Sequence, residues 1–156
     1  MSTPSNPLES IIRTAIQREI DAHTLYNNAA KLTTVAHSRD LLLDMAAQEV
    51  GHRNRLEAML KGETFKVLTK KQLKQVVDLK ITDYLVEEPL SADSDLQSIL
   101  IVAGKREKGS FELYSAMARV AGDTETIRLF EFLANEELTH KRRVETMYDE
   151  LVYQDN

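Results

Sequence analysis

The sequence predicts an all-α fold, a bundle of four long helices with one long crossover between the second and the third. Three observations carry that prediction. Apolar residues recur in steps of three and four along four separate stretches. The connections between these stretches run short, long, short, the pattern of a bundle with a single crossover. Sliding the chain over itself by 88 residues superposes 16–60 on 104–148 without a gap, and 12 of the 45 pairs are identical. The bundle is therefore expected to be built from two hairpins related by an approximate two-fold axis.

Residues 1–7 are polar and proline-punctuated, which suits a flexible tail ending in a helix start at Asn6-Pro7. The first helix is predicted over 8–32, with Leu8, Ile12, Ala15/Ile16, Glu19, Ala22/His23, Tyr26 and Ala30 on its inward stripe. After a turn within 33–38, the second runs from Ser38 to Lys61 with Leu42, Met45, Glu49, His52, Leu56 and Met59 inward. Gly62 stands where a left-handed cap is expected. The segment 62–94 is far longer than the roughly 2–8 residues of a helix hairpin, so it reads as a crossover, with a short helix over 69–77 and a break at Glu88-Pro89. The third helix, capped by Ser94 or Asp93, reaches Val120 with Ile99, Val102/Ala103, Glu107, Ser110, Tyr114 and Met117 inward. Ala121-Gly122-Asp123-Thr124 is a turn signal. The fourth helix starts at Asp123 or Thr124 and ends near Leu151, with Ile127, Phe130, Leu133/Ala134, Glu137, His140, Val144 and Met147 inward. Residues 8–151 then form a single domain, and 152–156 a C-terminal tail.

A chain of 156 residues that is 42% hydrophobic can bury a core without staples. The absence of cysteine excludes disulfides, thiolate metal sites and thiolate nucleophiles. The net charge of −5 and the lack of aromatics among the lysines of 66–80 argue against nucleic acid as a partner. No signal peptide is recognisable, and runs such as 98–103 fall far short of the ~20 apolar residues that span a bilayer. A cytoplasmic protein with no membrane contact is expected.

Carboxylates stand in all four inward stripes where leucine would be usual. Glu49 and His52, like Glu137 and His140, form a Glu-x-x-His tetrad, and each tetrad lies 30 residues after another Glu, Glu19 and Glu107. The midpoints of these intervals, Thr34 and Gly122, fall in the two predicted turns. Residues equidistant from a turn end at the same height along the axis at about 1.5 Å per residue, so each hairpin brings its two Glu residues level. Each His lies one turn from its Glu on the same face, so a Glu can bridge two ions while its His binds one of them. Two half-sites give two metals. Four buried carboxylates cannot all ionise uncompensated, and two divalent cations neutralise four negative charges. Carboxylate and imidazole donors without thiolate suit iron or manganese, with zinc as an adventitious occupant. This donor set, a Glu from each of two helices and Glu-x-x-His from each of the others, is an established diiron pattern, so the assignment rests on that match as well as on spacing.

The segments 18–26, 47–52, 106–114 and 135–140 resemble those of the ferritin-like diiron carboxylate proteins, most closely the rubrerythrin type, over roughly 8–151. That resemblance implies a ferritin-like bundle holding two iron ions per chain, with Glu19, Glu49, His52, Glu107, Glu137 and His140 as ligands and Glu49 and Glu137 as bridges. It also implies that Tyr26 and Tyr114 donate to carboxylates on the opposite hairpin. Full-length rubrerythrins append a four-cysteine iron module, which this chain lacks, so the electron donor would be a separate protein. Where rubrerythrins tend to carry a further carboxylate one turn after the third-helix Glu, this chain has Ser110.

The implied function is a diiron oxidoreductase that meets peroxide or dioxygen in defence against oxidative stress, acting as a homodimer by analogy. A ferroxidase-type iron-handling or storage protein is the alternative, and a helical interaction module with a relic metal site is the third reading. His23 reads as a filler or supporting residue and His37 as a solvated turn residue. Glu57, Glu136 and Glu145 read as surface charges paired with Arg53, Arg55 or Arg143, and Met45, Met59, Met117 and Met147 as packing.

Overall fold

The computed structural model describes residues 7–62, 90 and 94–153. They form four helices: α1 over Pro7–Leu32, α2 over Ala36–Lys61, α3 over Leu96–Val120 and α4 over Thr124–Tyr153. The chain is an all-α, ferritin-like four-helix bundle. The short helix expected over 69–77 lies outside the described residues. No helix among the described residues is long and apolar enough to cross a membrane.

Local chemistry sets the helix ends. Pro7 opens α1, where the missing N–H costs nothing. At the first turn, Thr33 N–H donates to Ala29 O at 3.1 Å and Arg39 Nη2 donates to Thr33 O at 3.1 Å, so α2 begins at Ala36, two residues earlier than predicted. His37 therefore sits in the first turn of α2, exposed, and not in the loop. The cap of α3 is Asp95, whose Oδ1 accepts from Ser98 N–H at 2.8 Å, and not Ser94 or Asp93. Asp123 caps α4 by accepting from Thr126 N–H at 3.0 Å, and that helix runs two residues past Leu151. Gly62 follows α2 with φ −80° and ψ 151°, extended and not left-handed, because the chain leaves the helix directly.

Each short loop folds its two long helices back on each other, and the closest packing is within these hairpins, α1 on α2 and α3 on α4. The hairpins meet through α1 with α3 and α2 with α4. Two apolar clusters result. One joins Ile12 and Ala15 near the start of α1, Leu56 near the end of α2, Leu113 to Val120 of α3, and Phe130 to Ala134 of α4. The other joins Leu25 to Ala30, Leu42 to Ala46, Ile99 to Ala103, and Val144 and Met147. The end of α2 thus lies in one layer and the start of α3 in the other. A helix of 25 residues is roughly 37 Å long, so the two points that the predicted crossover has to join lie at opposite ends of the bundle. Most of the crossover's own residues lie outside those described.

Candidate metal centre

The two apolar layers leave a polar layer between them. Glu19, Glu49, His52, Glu107, Glu137 and His140 are all buried there, none more than 3% exposed. The inward residues named for α3 are all buried, whereas Ile16, Ala22 and His23 within α1, and Met59 and Ile127 near the ends of their helices, are half-buried.

The six side chains form two overlapping groups of four donors, Glu19, Glu49, His52 and Glu137 in one, and Glu49, Glu107, Glu137 and His140 in the other. Within each group the donor atoms lie within 4.8 Å of one another. Glu49 and Glu137 belong to both groups and each His to one. Both imidazoles turn Nδ1 inward. His52 Nδ1 is 3.1 Å from Glu137 Oε1 and 3.5 Å from Glu19 Oε2, and His140 Nδ1 is 2.6 Å from Glu49 Oε1 and 3.8 Å from Glu107 Oε1. The rings stack, with centroids 5.8 Å apart at 23°.

Tyrosines on one hairpin hold carboxylates on the other, in the direction the resemblance implied. Tyr114 Oη donates to Glu19 Oε1 at 2.6 Å, and Tyr26 Oη donates to Glu107 Oε1. Burial first, and then the neighbouring carboxylates, push both phenols well above their ordinary pKa, so they remain donors. His23 spends both ring nitrogens elsewhere: Nδ1 donates to Ala46 O at 2.9 Å and Nε2 accepts from Asn27 at 3.1 Å. It ties α1 to α2 and is not directed into the cluster.

The donor set fits a pair of divalent cations on its own chemistry. Glu19 Oε2, Glu49 Oε1, Glu107 Oε2 and His140 Nδ1 are buried with no aligned hydrogen-bond partner among the described residues. Such atoms are costly unless something positive meets them. His140 Nε2 donates to Gln48 Oε1 at 2.5 Å, so a neutral ring presents the Nδ1 lone pair to Glu49. Two acceptors facing each other at 2.6 Å repel without a shared cation or proton. Burial, followed by the charges of Glu19 and Glu107, raises Glu49 well above the usual carboxylate range, and burial with Glu107, Glu19 and Glu49 raises Glu137. Burial also acts to raise Glu19, but hydrogen bonding with Glu49 and His52, the His52 charge and Tyr114 outweigh it and hold its pKa at about 2.

The chain matches the family model described as Rubrerythrin over residues 10–151. It belongs to the rubrerythrin family. Searches of curated proteins and of solved structures gave no match. Family membership and the buried carboxylate and imidazole cluster together indicate a metal site of the diiron kind.

The surface-charge reading needs correction at several places. Glu136 is 30% exposed in its side chain and turns inward, with Oε1 3.8 Å from His52 Nε2. Arg55 lies 4.4 Å over the Phe132 ring, and pairs with no carboxylate among the described residues. Arg143 Nη1 is 3.9 Å from Asp44, and Glu145 pairs with Lys141. Among the described residues only Arg53 and Glu57 approach as predicted, at 3.9 Å. Sequence reasoning assigned no role to Gln48 and missed that of Glu136, although a signal existed. Each immediately precedes its tetrad Glu, and the two are partners at the 88-residue offset.

Proposed function

We propose that this rubrerythrin-family chain holds two iron ions between its hairpins and acts as a non-haem diiron oxidoreductase. It reduces hydrogen peroxide or dioxygen with electrons from a separate donor protein. The observation that carries this reading is the overlap of the two donor groups, in which Glu49 and Glu137 are shared while each His serves one group. In this reading Glu19 and His52 would hold one ion, Glu107 and His140 the other, and Glu49 and Glu137, common to both groups, would serve both.

When bound, the iron pair supplies redox equivalents and positive charge. The chain supplies position and dryness. Tyr114 and Tyr26 fix the orientation of Glu19 and Glu107, and the layers that contain Leu133 and Met45 keep bulk water from both ends of the site. The way in is a narrow cleft between α1 and α3, rimmed by Arg18, Ala22, Arg106 and Ser110, with Glu19 and Glu107 at its base. Its volume is about 10 Å³, room for about one water-sized molecule. So narrow a cleft favours a small oxidant over an organic substrate. Each peroxide takes up two electrons and two protons and leaves as two waters. These 156 residues contain no cysteine, and in this reading the electrons are delivered by a separate donor protein.

A second reading, a ferroxidase-type iron-handling role, is favoured by Ser110, which puts a hydroxyl and not a further carboxylate into the cleft. One experiment separates the two. The protein is loaded anaerobically with two equivalents of Fe²⁺ and mixed in stopped flow with peroxide and, separately, with dioxygen. Fast oxidation by peroxide and turnover with an added reductant support the oxidoreductase. Faster oxidation by dioxygen, with iron released or accumulated, supports iron handling, and no oxidation by either removes both.

A further inference from the structure

The two half-sites share a donor plan but differ behind their histidines. His140 Nε2 donates to the amide oxygen of Gln48. His52 Nε2 has no hydrogen-bond partner among the described residues, is buried, and finds its nearest carboxylate in Glu136 at 3.8 Å. A small rotation of the half-exposed Glu136 side chain, or one intervening water, completes that contact. Gln48 and Glu136 are partners at the 88-residue offset, so one framework position carries an amide in one hairpin and a carboxylate in the other.

The next positions outward diverge in the same sense. Gln48 Nε2 donates to Asp44 Oδ2 at 3.4 Å, so the carboxylate on this side sits one residue farther from the imidazole, exposed and 3.9 Å from Arg143. The offset partner of Asp44 is Phe132, and that of Arg143 is Arg55. Phe132 meets the His52 ring edge-on with centroids 6.1 Å apart and carries the Arg55 guanidinium on its face. The His140 flank is thus a polar chain leading to solvent. The His52 flank is a carboxylate beside an aromatic plug.

Both rings turn Nδ1 inward, so a ring that ligates through Nδ1 has Nε2–H left to donate. A carboxylate acceptor makes the imidazole a stronger donor to a cation than a neutral amide does, and such outer contacts are worth roughly 10–100-fold in metal affinity. We propose that the two half-sites bind metal unequally, the His52 half-site the more tightly, and that the Glu136/Gln48 pair sets the difference. These two act as positioning residues. The inference rests on the metal-binding reading above, and it concerns which site fills first, independent of turnover.

The test titrates metal-free protein with Co²⁺ in a calorimeter and collects anomalous diffraction from crystals grown with one equivalent. Wild type is expected to show two unequal steps, with the single ion at the His52 half-site. Glu136→Gln should weaken the tighter step by about 10-fold and bring the steps together. The double variant Glu136→Gln with Gln48→Glu keeps the total charge and should move the first ion to the His140 half-site, a reversal that simple damage to the fold would not produce. Helical circular dichroism of each variant checks folding. Equal sites in wild type, or a first ion that stays in place in the double variant, overturn the inference and leave metal binding intact. No Co²⁺ binding by wild type overturns both.

Discussion

The layer around Leu133 and the layer around Glu137 lie one helical turn apart on α4, and they stabilise the protein in opposite ways. Leu133 is fully buried in an apolar cluster with Leu56, Leu113 and Met117, which needs no outside component. Glu137 is equally buried, but its neighbours are three more carboxylates and two imidazoles. The first layer gains from exclusion of water. The second is costly with its groups ionised, and is relieved by protons on Glu49 and Glu137 or by cations among the donors. In the proposed diiron reading, folding and metal binding are one linked equilibrium at the centre of a bundle whose ends fold for ordinary reasons.

The comparison is broken most severely in the apolar layer. Leu133→Ala is expected to cost roughly 2–5 kcal/mol in denaturant unfolding, by the same amount with chelator and with metal present. A loss that appeared only in the loaded protein would mean the layers are not independent. Next comes the metal itself. At a hundredfold excess over its dissociation constant an ion bound only by the native state adds about 2.7 kcal/mol per site. Glu49→Ala with Glu137→Ala should abolish that increment in thermal melts, and metal-free and loaded wild type melting together would refute the buried site.

The pH dependence of the metal-free protein sharpens the contrast further. Glu49 and Glu137 have native pKa values raised well above the ordinary value of 4.5. Between that value and their native ones the folded state binds more protons than the unfolded state, so their contribution to stability falls as pH climbs. Glu19, held at about 2, acts the other way: its contribution is present above 4.5 and is lost as pH falls through about 2. With chelator, unfolding free energies measured from pH 5 to 8 should decline through the site. With metal, whose ligands must be deprotonated, the slope should reverse or flatten. The smallest expected effect lies outside both layers. Asp95→Ala removes the cap of α3 and should cost about 1 kcal/mol whatever the metal state, read by chemical denaturation.

Much of the polar layer was legible because a helix converts spacing into position. The intervals 19 to 49 and 107 to 137, centred on two turns, placed four carboxylates at one height, and the turns lie where that symmetry requires. Tyr26 and Tyr114, seven residues after their Glu, could be assigned by resemblance to the opposite hairpin because two helical turns return a side chain to the same face. The helix ends were less legible. Several Ser and Asp residues compete at 93–95, and the choice of Asp95 depends on where α3 must start to bury Ile99 and Leu100.

What the sequence by itself determined is the set of helices, the buried stripes, the need for a crossover and the six converging donors, since each follows from the 3.6-residue period and from chain symmetry about a turn. What only the tertiary structure decided lies one step around the helix from those stripes. Gln48 and Glu136 sit about 100° from the ligand faces, on flanks that periodicity leaves open to solvent or neighbour alike. Which way they turn, and that Arg55 covers Phe132 while Arg143 approaches Asp44, depends on the distance between α2 and α4 and on the rotamers across that gap. Contacts between helices are set by packing, and packing has no period along the chain.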